Sequence, residues 1–202
     1  MNLPPEAQSV IVGSLLGDAY LYPNGTLQIE HYLEHAQYTS WKYKMLQSIA
    51  GKEPTVVERY DFRTQKVYRS TRFYARAVLK DFRISFYRDR RKVIPSSLGD
   101  LLDPMAVAVW FMDDGSRGAR TPKGLVFNTS CYSAEEQGVL QAVLAEKFGV
   151  QTSIHHVGKG FQLYVKAESF NRFAELVSPY LITLMRYKLP VDPVTTSPEK
   201  AG

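Results

Sequence analysis

The sequence predicts an α+β fold made of two pseudo-symmetric αββαββα units that pack on each other through a pair of apolar helices. Three observations carry that expectation. Two apolar runs end alike, Ile11-Val-Gly-Ser-Leu-Leu-Gly-Asp18 and Val107-Ala-Val-Trp-Phe-Met-Asp-Asp114-Gly115, with their aspartates 96 residues apart. The residues after each run alternate and change period in the same order. A lysine shortly before a proline closes each copy, Lys92-Val-Ile-Pro95 and Lys188-Leu-Pro190, and each lysine stands 74 residues after its aspartate.

Both apolar runs read as helices. The first comes after Pro4-Pro5; the second has Asp103 as N-cap and Pro104 at its first position, a strong start signal. Gly115 is a natural stop for the second. Residues 26–31 alternate apolar Leu27 and Ile29 with polar Gln28 and Glu30, the period of a half-buried strand, and residues 125–130 are their counterpart. A helix comes next in each half. The first carries Trp41, Met45 and Ile49 and stops near Gly51; the second opens on the capping box Ser133-Ala-Glu-Glu136 and stops at Gly149. Strands are expected at 55–60 and 66–74, matched by 152–156 and 161–165. A short amphipathic helix closes each half, near 76–82 and 168–177. The units are therefore expected at 1–95 and 104–190, joined by 96–103. The Pro-, Thr- and Ser-rich segment 191–202 is expected to be a flexible tail.

Composition narrows the function classes. The 202 residues are 45% hydrophobic, enough for a sizeable core. One cysteine, Cys131, excludes an internal disulfide and a zinc-finger cluster. No apolar run approaches the roughly 20 residues of a membrane span, and the N-terminus lacks the form of a secretory signal. A soluble protein of a reducing, intracellular compartment is expected: bacterial or archaeal cytoplasm, mitochondrion or chloroplast. The net charge of +5 is unevenly spread. Between Glu58 and Lys92 twelve Lys or Arg face four Asp or Glu, with Tyr60, Tyr68, Tyr74 and Tyr87 interleaved. A basic strip of this kind suits phosphate contacts on a nucleic acid.

The paired helices suggest a site. Gly13 and Gly17, one turn apart, let a neighbouring backbone come close. Two like units packed there would bring Asp18 and Asp114 together at one end of the helix pair. Adjacent carboxylates at helix C-termini repel each other and oppose the helix dipoles. Divalent cations offset that cost, and a set of oxygen donors favours Mg²⁺ over zinc. Two Mg²⁺ ions near two-fold-related phosphates would suit hydrolysis of both strands of a duplex. Lys92 and Lys188 could stabilise developing phosphate charge or perturb a nucleophilic water.

The two runs resemble the paired motifs of the single-chain, double-motif LAGLIDADG homing endonucleases, of the kind encoded by the mitochondrial omega intron. The likeness runs from about Gln8 to Pro190 and includes Leu16-Gly-Asp18-Ala-Tyr20, Trp110-Phe-Met-Asp-Asp114-Gly115, Arg91-Lys92-Val-Ile-Pro95, Phe127-Asn-Thr129 and Tyr187-Lys-Leu-Pro190. Leu16 and Met112 stand where the motif has its first aspartate, and Ala19 stands at its final glycine in the first copy. The resemblance implies that Asp18 and Asp114 bind the metal, with the Gly17 and Asp113 carbonyls as further ligands. It implies that Lys92 and Lys188 are the active-site lysines and that Gln28 orders active-site water, with Asn128 or Ser130 near the equivalent place. It also implies Mg²⁺-dependent cutting across the minor groove of a long site, leaving short 3′ overhangs. Mn²⁺ is expected to substitute, and Ca²⁺ to support binding without cleavage. The expected assembly is a monomer.

In such an architecture each half presents a curved four-stranded antiparallel sheet to the major groove. Candidate DNA contacts are Gln28, Glu30, Arg59, Arg63, Lys66, Arg69 and Arg72 in the first half. In the second they are Asn128, Ser130, Lys159 and Gln162. His31 and His35 are set aside as zinc ligands because the residues before them alternate as a strand. His155-His156 reads as strand or turn, and Cys131 as structural. Two rival functions use the same scaffold: a maturase binding group I intron RNA, and a DNA-binding protein without nuclease activity. The lack of flanking splicing sequence favours an intron-encoded or free-standing protein over an intein.

Overall fold

The computed structural model describes residues 3–118, 124–158 and 160–190. The first half runs α1 (Pro5–Leu16), β1 (Tyr20–Leu21), β2 (Leu27–Tyr32), α2 (Ala36–Met45), β3 (Thr55–Asp61), β4 (Lys66–Ala75) and α3 (Lys80–Phe86). A two-stranded ribbon, β5 (Tyr87–Arg88) and β6 (Arg91–Lys92), and a short helix α4 (Leu98–Leu101) come next. The second half runs α5 (Pro104–Asp114), β7 (Gly115–Arg117), β8 (Leu125–Asn128), α6 (Ala134–Phe148), β9 (Thr152–Val157), β10 (Gly160–Val165) and α7 (Phe170–Val177). The two four-stranded sheets share one strand order, β1-β2-β4-β3 and β7-β8-β10-β9, and every pairing is antiparallel.

The helices α1 and α5 form the axis. From Ser9 to Leu16 and from Ala106 to Met112 both are buried on every side, because each packs on the other and on the rest of the core; only their ends meet water. Trp110 and Phe111 fill the second half by packing on Phe127, and Phe111 and Phe127 both meet Phe173 edge-on. Across the axis a Cβ on Gly13 would lie 2.4 Å from the Ala106 carbonyl oxygen and 2.6 Å from Val109 Cβ, so the helices touch backbone to side chain there. Ser9 donates to Asp103 Oδ2 at 2.5 Å, and Asp103 Oδ1 caps α5 by accepting from the Ala106 amide at 2.7 Å.

Register makes the pseudo-symmetry explicit. Tyr20, two residues after Asp18, pairs with Gln28, and Ser116, two residues after Asp114, pairs with Val126. Gln28 therefore corresponds to Val126, Glu30 to Asn128 and His31 to Thr129. On the next strand Arg72 corresponds to Gln162, since these pair with Glu30 and Asn128. Val126 is buried. The expected second-half partner of Gln28, Asn128 or Ser130, is thus displaced by two or more residues; the connection from aspartate to strand is longer in the second half.

The local departures have physical causes. The strands β1 and β7 come directly after α1 and α5 and are too short to show a period. The closing helix of the first half starts at Lys80, not near 76, because the backbone there is tied elsewhere: Arg76 N–H donates to Ile49 and Leu79 N–H to Gly25. The strand expected to reach 130 ends at Asn128, because the Thr129 carbonyl accepts from the Tyr132 amide and from Gln137 Nε2. Within 96–103, Leu98 and Leu102 are buried in the common core. Lys159 and residues 191–202, with the expected flexible tail, lie outside the described residues. No described helix is long and apolar enough to cross a membrane.

Candidate catalytic centre and nucleic-acid face

The C-terminal ends of α1 and α5 bring three carboxylates to one place. Asp18 lies just past α1 and its side chain is about half exposed, while Asp113 and Asp114 are the last two residues of α5. Burial pushes the Asp114 carboxyl up to about 8, and the charges of Asp18 and then Asp113 add to it. Asp18 behaves oppositely. Burial pushes its carboxyl up, but His31, Lys42 and Lys92 outweigh this and hold it below the ordinary aspartate value. One carboxyl of the pair is thus held ionised and the other protonated near neutral pH.

Each half also supplies a lysine that caps its own helix. Lys92 Nζ donates to the Gly17 carbonyl at 2.5 Å. Lys188 Nζ donates to Met112 at 2.5 Å, with Asp113 and Phe111 carbonyls at 3.3 and 3.5 Å. Helix-end carbonyls carry partial negative charge, so an ammonium there is favourable. Burial lowers both lysines from their ordinary value, against the pull of the neighbouring carboxylates. The two reach their places differently: Lys92 sits on the β5–β6 ribbon, Lys188 at the end of the 3₁₀ segment Thr183–Lys188. Of the two carbonyls expected as metal ligands, Gly17 is engaged by Lys92, while Asp113 lies 3.3 Å from Lys188, whose shorter bond goes to Met112.

Asp113 is not free to act as a third open ligand. Its carboxylate is buried, accepts from Lys42 Nζ at 2.7 and 2.9 Å and from the Tyr38 hydroxyl at 2.8 Å, and receives the Asp18 amide at 3.3 Å. His31 lies between the acids, with Nδ1 3.7 Å from Asp18 Oδ2 and Nε2 3.9 Å from Asp113 Oδ1. Sequence reading missed Lys42, Tyr38 and the role of Asp113. A lysine in the middle of a helix carries no mark of burial; only its tertiary partner reveals it. His31 sits in β2 and His35 in the turn after it, so they do not share a helix face.

A cleft of about 1000 Å³ runs from this centre over the first sheet, lined among others by Asp18, Gln28, Glu30, Arg59, Ser70 and Lys188. Strand alternation puts Gln28, Glu30, Arg59, Lys66 and Arg72 on this face. Glu30 is gripped by Arg59 at 2.5 and 2.9 Å, Ser70 at 2.5 Å and Gln28 Nε2 at 3.0 Å, with Arg72 at 3.7 Å. The Arg59 hydrogen bond is the main reason its carboxyl is held low. Gln28 Oε1 accepts from Tyr22. Arg63 extends from the β3–β4 turn, almost fully exposed. Arg69 departs from the set by register: it alternates with Ser70 and pairs with Glu58 at 2.8 Å on the other face of the hairpin, although it too borders the cleft.

Among the described residues the corresponding face of the second sheet carries no Lys, Arg, Asp or Glu. Asn128, Gln162, Tyr164 and His155 share it, and His155 packs on Tyr164 and meets Ser153 Oγ at 2.9 Å. Ser130 lies beyond the end of β8, next to Gly160, where a Cβ would sit 2.8 Å from it. His155 belongs with Gln162 by register. The alternation Ser153, His155, Val157 was the available signal.

Residues 8–173 match the family described as LAGLIDADG DNA endonuclease. The chain is 29% identical over 202 residues to the cytochrome b mRNA maturase bI2 of Saccharomyces cerevisiae, covering 90% of this chain and 46% of the maturase. It is 27% identical over 210 residues to the DNA endonuclease I-ChuI of Chlamydomonas applanata, covering 94% and 96% of the two chains. The first relative is thus matched over about half its length. Among solved structures, the homing endonuclease I-WcaI bound to its DNA recognition sequence superimposes with a TM-score of 0.86 at 24% identity, over 94% of this chain and 88% of that one. This last likeness concerns the fold.

Proposed function

Because this chain belongs to the LAGLIDADG DNA endonuclease family, we propose that it binds a long DNA site across its two sheets and hydrolyses both strands. The observation that carries the reading is the convergence of Asp18 and Asp114 at the ends of α1 and α5, each with a lysine from its own half on the adjacent carbonyls. The donor chemistry fits Mg²⁺: beside the one imidazole of His31 the groups at hand are carboxylate and carbonyl oxygens, and Asp114 is forced towards its protonated form until a cation offsets the charge of its neighbours. Asp18 and Asp114 would hold it, with the Gly17 and Asp113 carbonyls as further oxygens. Bound Mg²⁺ would supply Lewis-acid polarisation of the scissile phosphate and a more acidic water.

The chain's own groups do the rest. Asp114 gives up its proton on ionising, and Asp18 is already ionised. Lys92 and Lys188, poised on helix-end carbonyls, turn towards phosphate oxygens and offset the charge that develops there. Gln28 orders water beside the first centre. The two centres lie close together on the axis, which suits scissile bonds facing each other across a minor groove and short 3′ overhangs. Arg59, Arg63, Lys66 and Arg72 bind phosphates or base edges with the first sheet; Asn128 and Gln162 read bases with the second. A single chain already contains both motif helices, so it acts as a monomer. Mn²⁺ replaces Mg²⁺, and Ca²⁺ supports binding alone.

The test is cleavage of a plasmid library carrying randomised inserts with Mg²⁺, Ca²⁺ or EDTA, alongside Asp18→Asn and Asp114→Asn. A Mg²⁺-dependent double-strand cut lost in both variants supports the reading. Tight binding with no cut in any metal overturns it. The similarity to the bI2 maturase supports a second reading, binding of a group I intron RNA by the same chain. Retardation of that RNA class, with no strand cut, would favour it.

A further inference from the structure

The two carboxylates are backed by different chemistry. Behind Asp18 lies a buried chain of polar side chains: His31 stands 3.7 Å from Asp18 and 3.9 Å from Asp113, and Asp113 is held by Lys42, which is fully buried. The rings of His31 and Tyr38 lie 4.8 Å apart, and Lys42 Nζ sits 4.5 Å from the centre of the Tyr38 ring, so the Tyr38 ring packs against both. Pseudo-symmetry replaces every member of it around Asp114. Thr129 stands at the place of His31 by strand register, and Gly17 at the place of Asp113 by motif position. Leu140 stands at the place of Lys42, each being the seventh residue of its helix. Thr129 is bonded to Gln137, a neutral pair.

The cluster does not suit a cation of its own. The ammonium of Lys42 already neutralises Asp113 at hydrogen-bond distance, leaving one open carboxylate and a histidine. What the geometry does provide is orientation. His31 abuts the Asp18 carboxylate, and Asp113 Oδ2 holds the Asp18 amide. Groups behind a metal-binding side chain fix its direction and its affinity.

We propose that His31, Asp113 and Lys42 are positioning residues for Asp18 alone, so that the enzyme has one preset and one unsupported centre and cuts the two strands by unequal steps. This rests on the endonuclease reading above. The chain acts through Asp18 and touches no substrate. Its loss therefore slows the strand that Asp18 serves and leaves the other.

The experiment compares wild type with His31→Thr, Lys42→Leu and the exchange variant His31→Thr/Lys42→Leu/Asp113→Gly, which copies the other half and leaves no buried charge unpaired. Nicking of each strand is followed separately on an end-labelled duplex recovered from the plasmid library, with Mg²⁺. Ca²⁺ is titrated calorimetrically into the full chain in parallel. Expected is a roughly 10- to 100-fold slowing of one strand, the same strand in every variant, with weakened Ca²⁺ binding. In His31→Thr, which leaves Asp113 beside Asp114 in place, the other strand stays within about threefold and one Ca²⁺ site alone is weakened. Equal slowing of both strands in His31→Thr, or unchanged Ca²⁺ binding, overturns the proposal; a folding defect confined to Lys42→Leu does not, because His31→Thr decides. Should wild type cut no duplex, the endonuclease reading and the unequal cutting both fall, and the Ca²⁺ titration still decides whether these residues position Asp18.

Discussion

Gly17 and Asp113 face each other across the helix pair with room for one side chain between them: a Cβ on Gly17 would lie 2.5 Å from Asp113 Cβ and 2.7 Å from its Oδ2. The two occupy the same position in their respective motifs, so the repeat differs where its copies meet. Gly13 and Val109 repeat the relation one turn earlier, with 2.6 Å to Val109 Cβ. Along the axis, then, a glycine in one half makes space for its counterpart in the other.

Gly13→Ala tests that packing away from the chemistry. Its new methyl meets the Ala106 carbonyl, part of the backbone, and cannot be relieved by a rotamer change. A loss of about 1–3 kcal/mol is expected for such overpacking, or about 2–4 °C in melting temperature per kcal/mol. Thermal and urea unfolding measure it. An unchanged midpoint would mean that α1 and α5 can slide apart at no cost.

Asp114 sets a pH dependence. Its folded value, about 8, lies above the unfolded one of 3.8, through burial first and then Asp18 and Asp113. Without a divalent ion the folded state holds that proton more tightly, so this contribution to stability declines as pH rises from about 4 to 8. Cation binding needs the ionised form and releases the proton. Apparent Ca²⁺ affinity should therefore rise by up to about tenfold per pH unit from 6 to 8 and level off above. Calorimetry at several pH values reads this, and Asp114→Asn should flatten the slope. A slope retained in that variant would place the titrating group elsewhere.

Arg59 and Arg69 separate the two faces of the β3–β4 hairpin. Arg59 pairs with Glu30 on one face and Arg69 with Glu58 on the opposite face, both bordering the cleft. Arg59→Ala should weaken target DNA binding clearly more than Arg69→Ala. If Arg59 touches phosphate, the salt dependence should also become shallower by about one unit of slope. Fluorescence anisotropy at a series of salt concentrations distinguishes them. Equal losses would show that the duplex wraps the hairpin rather than lying on one face.

Glu136 links a helix cap to the ribbon that carries Lys92. It completes the capping box with Ser133 and also accepts from both Arg91 guanidinium nitrogens, at 2.8 and 3.2 Å, and from the Ile94 amide at 3.2 Å. Burial raises its carboxyl, but Arg91, Ser133 and Ile94 outweigh this and hold it low. Its stabilisation is therefore present above the ordinary glutamate value and lost as pH falls through the lower folded one. Glu136→Ala should cost about 1–3 kcal/mol at neutral pH, and less in acid. Urea unfolding at pH 7 and pH 3 checks it; an equal loss at both would show that the carboxylate charge contributes nothing.

Much of the fold was legible because it repeats. The aspartate and lysine spacings survive the divergence of nearly everything between them, and caps such as Asp103 and the Ser133–Glu136 box act over three residues, within reach of local reading. The strands β1 and β7 were not legible, being two and three residues long. The face taken by Arg69 needed the register of β4, since one residue of shift exchanges the two faces of a strand.

By itself the sequence determined a duplicated unit, the pairing of two apolar helices, and which acids and lysines recur at matching places. Those properties depend on period, spacing and short-range capping, all contained in the chain order. The tertiary structure alone decided that Lys42 is buried against Asp113, that His31 stands between two acids, and that Glu30 is gripped by Arg59. These contacts join residues from 13 to 82 positions apart. A lysine or histidine carries no local sign of the charge it will meet. Its ionic partner is chosen only when burial removes water and leaves an opposite charge within hydrogen-bond reach.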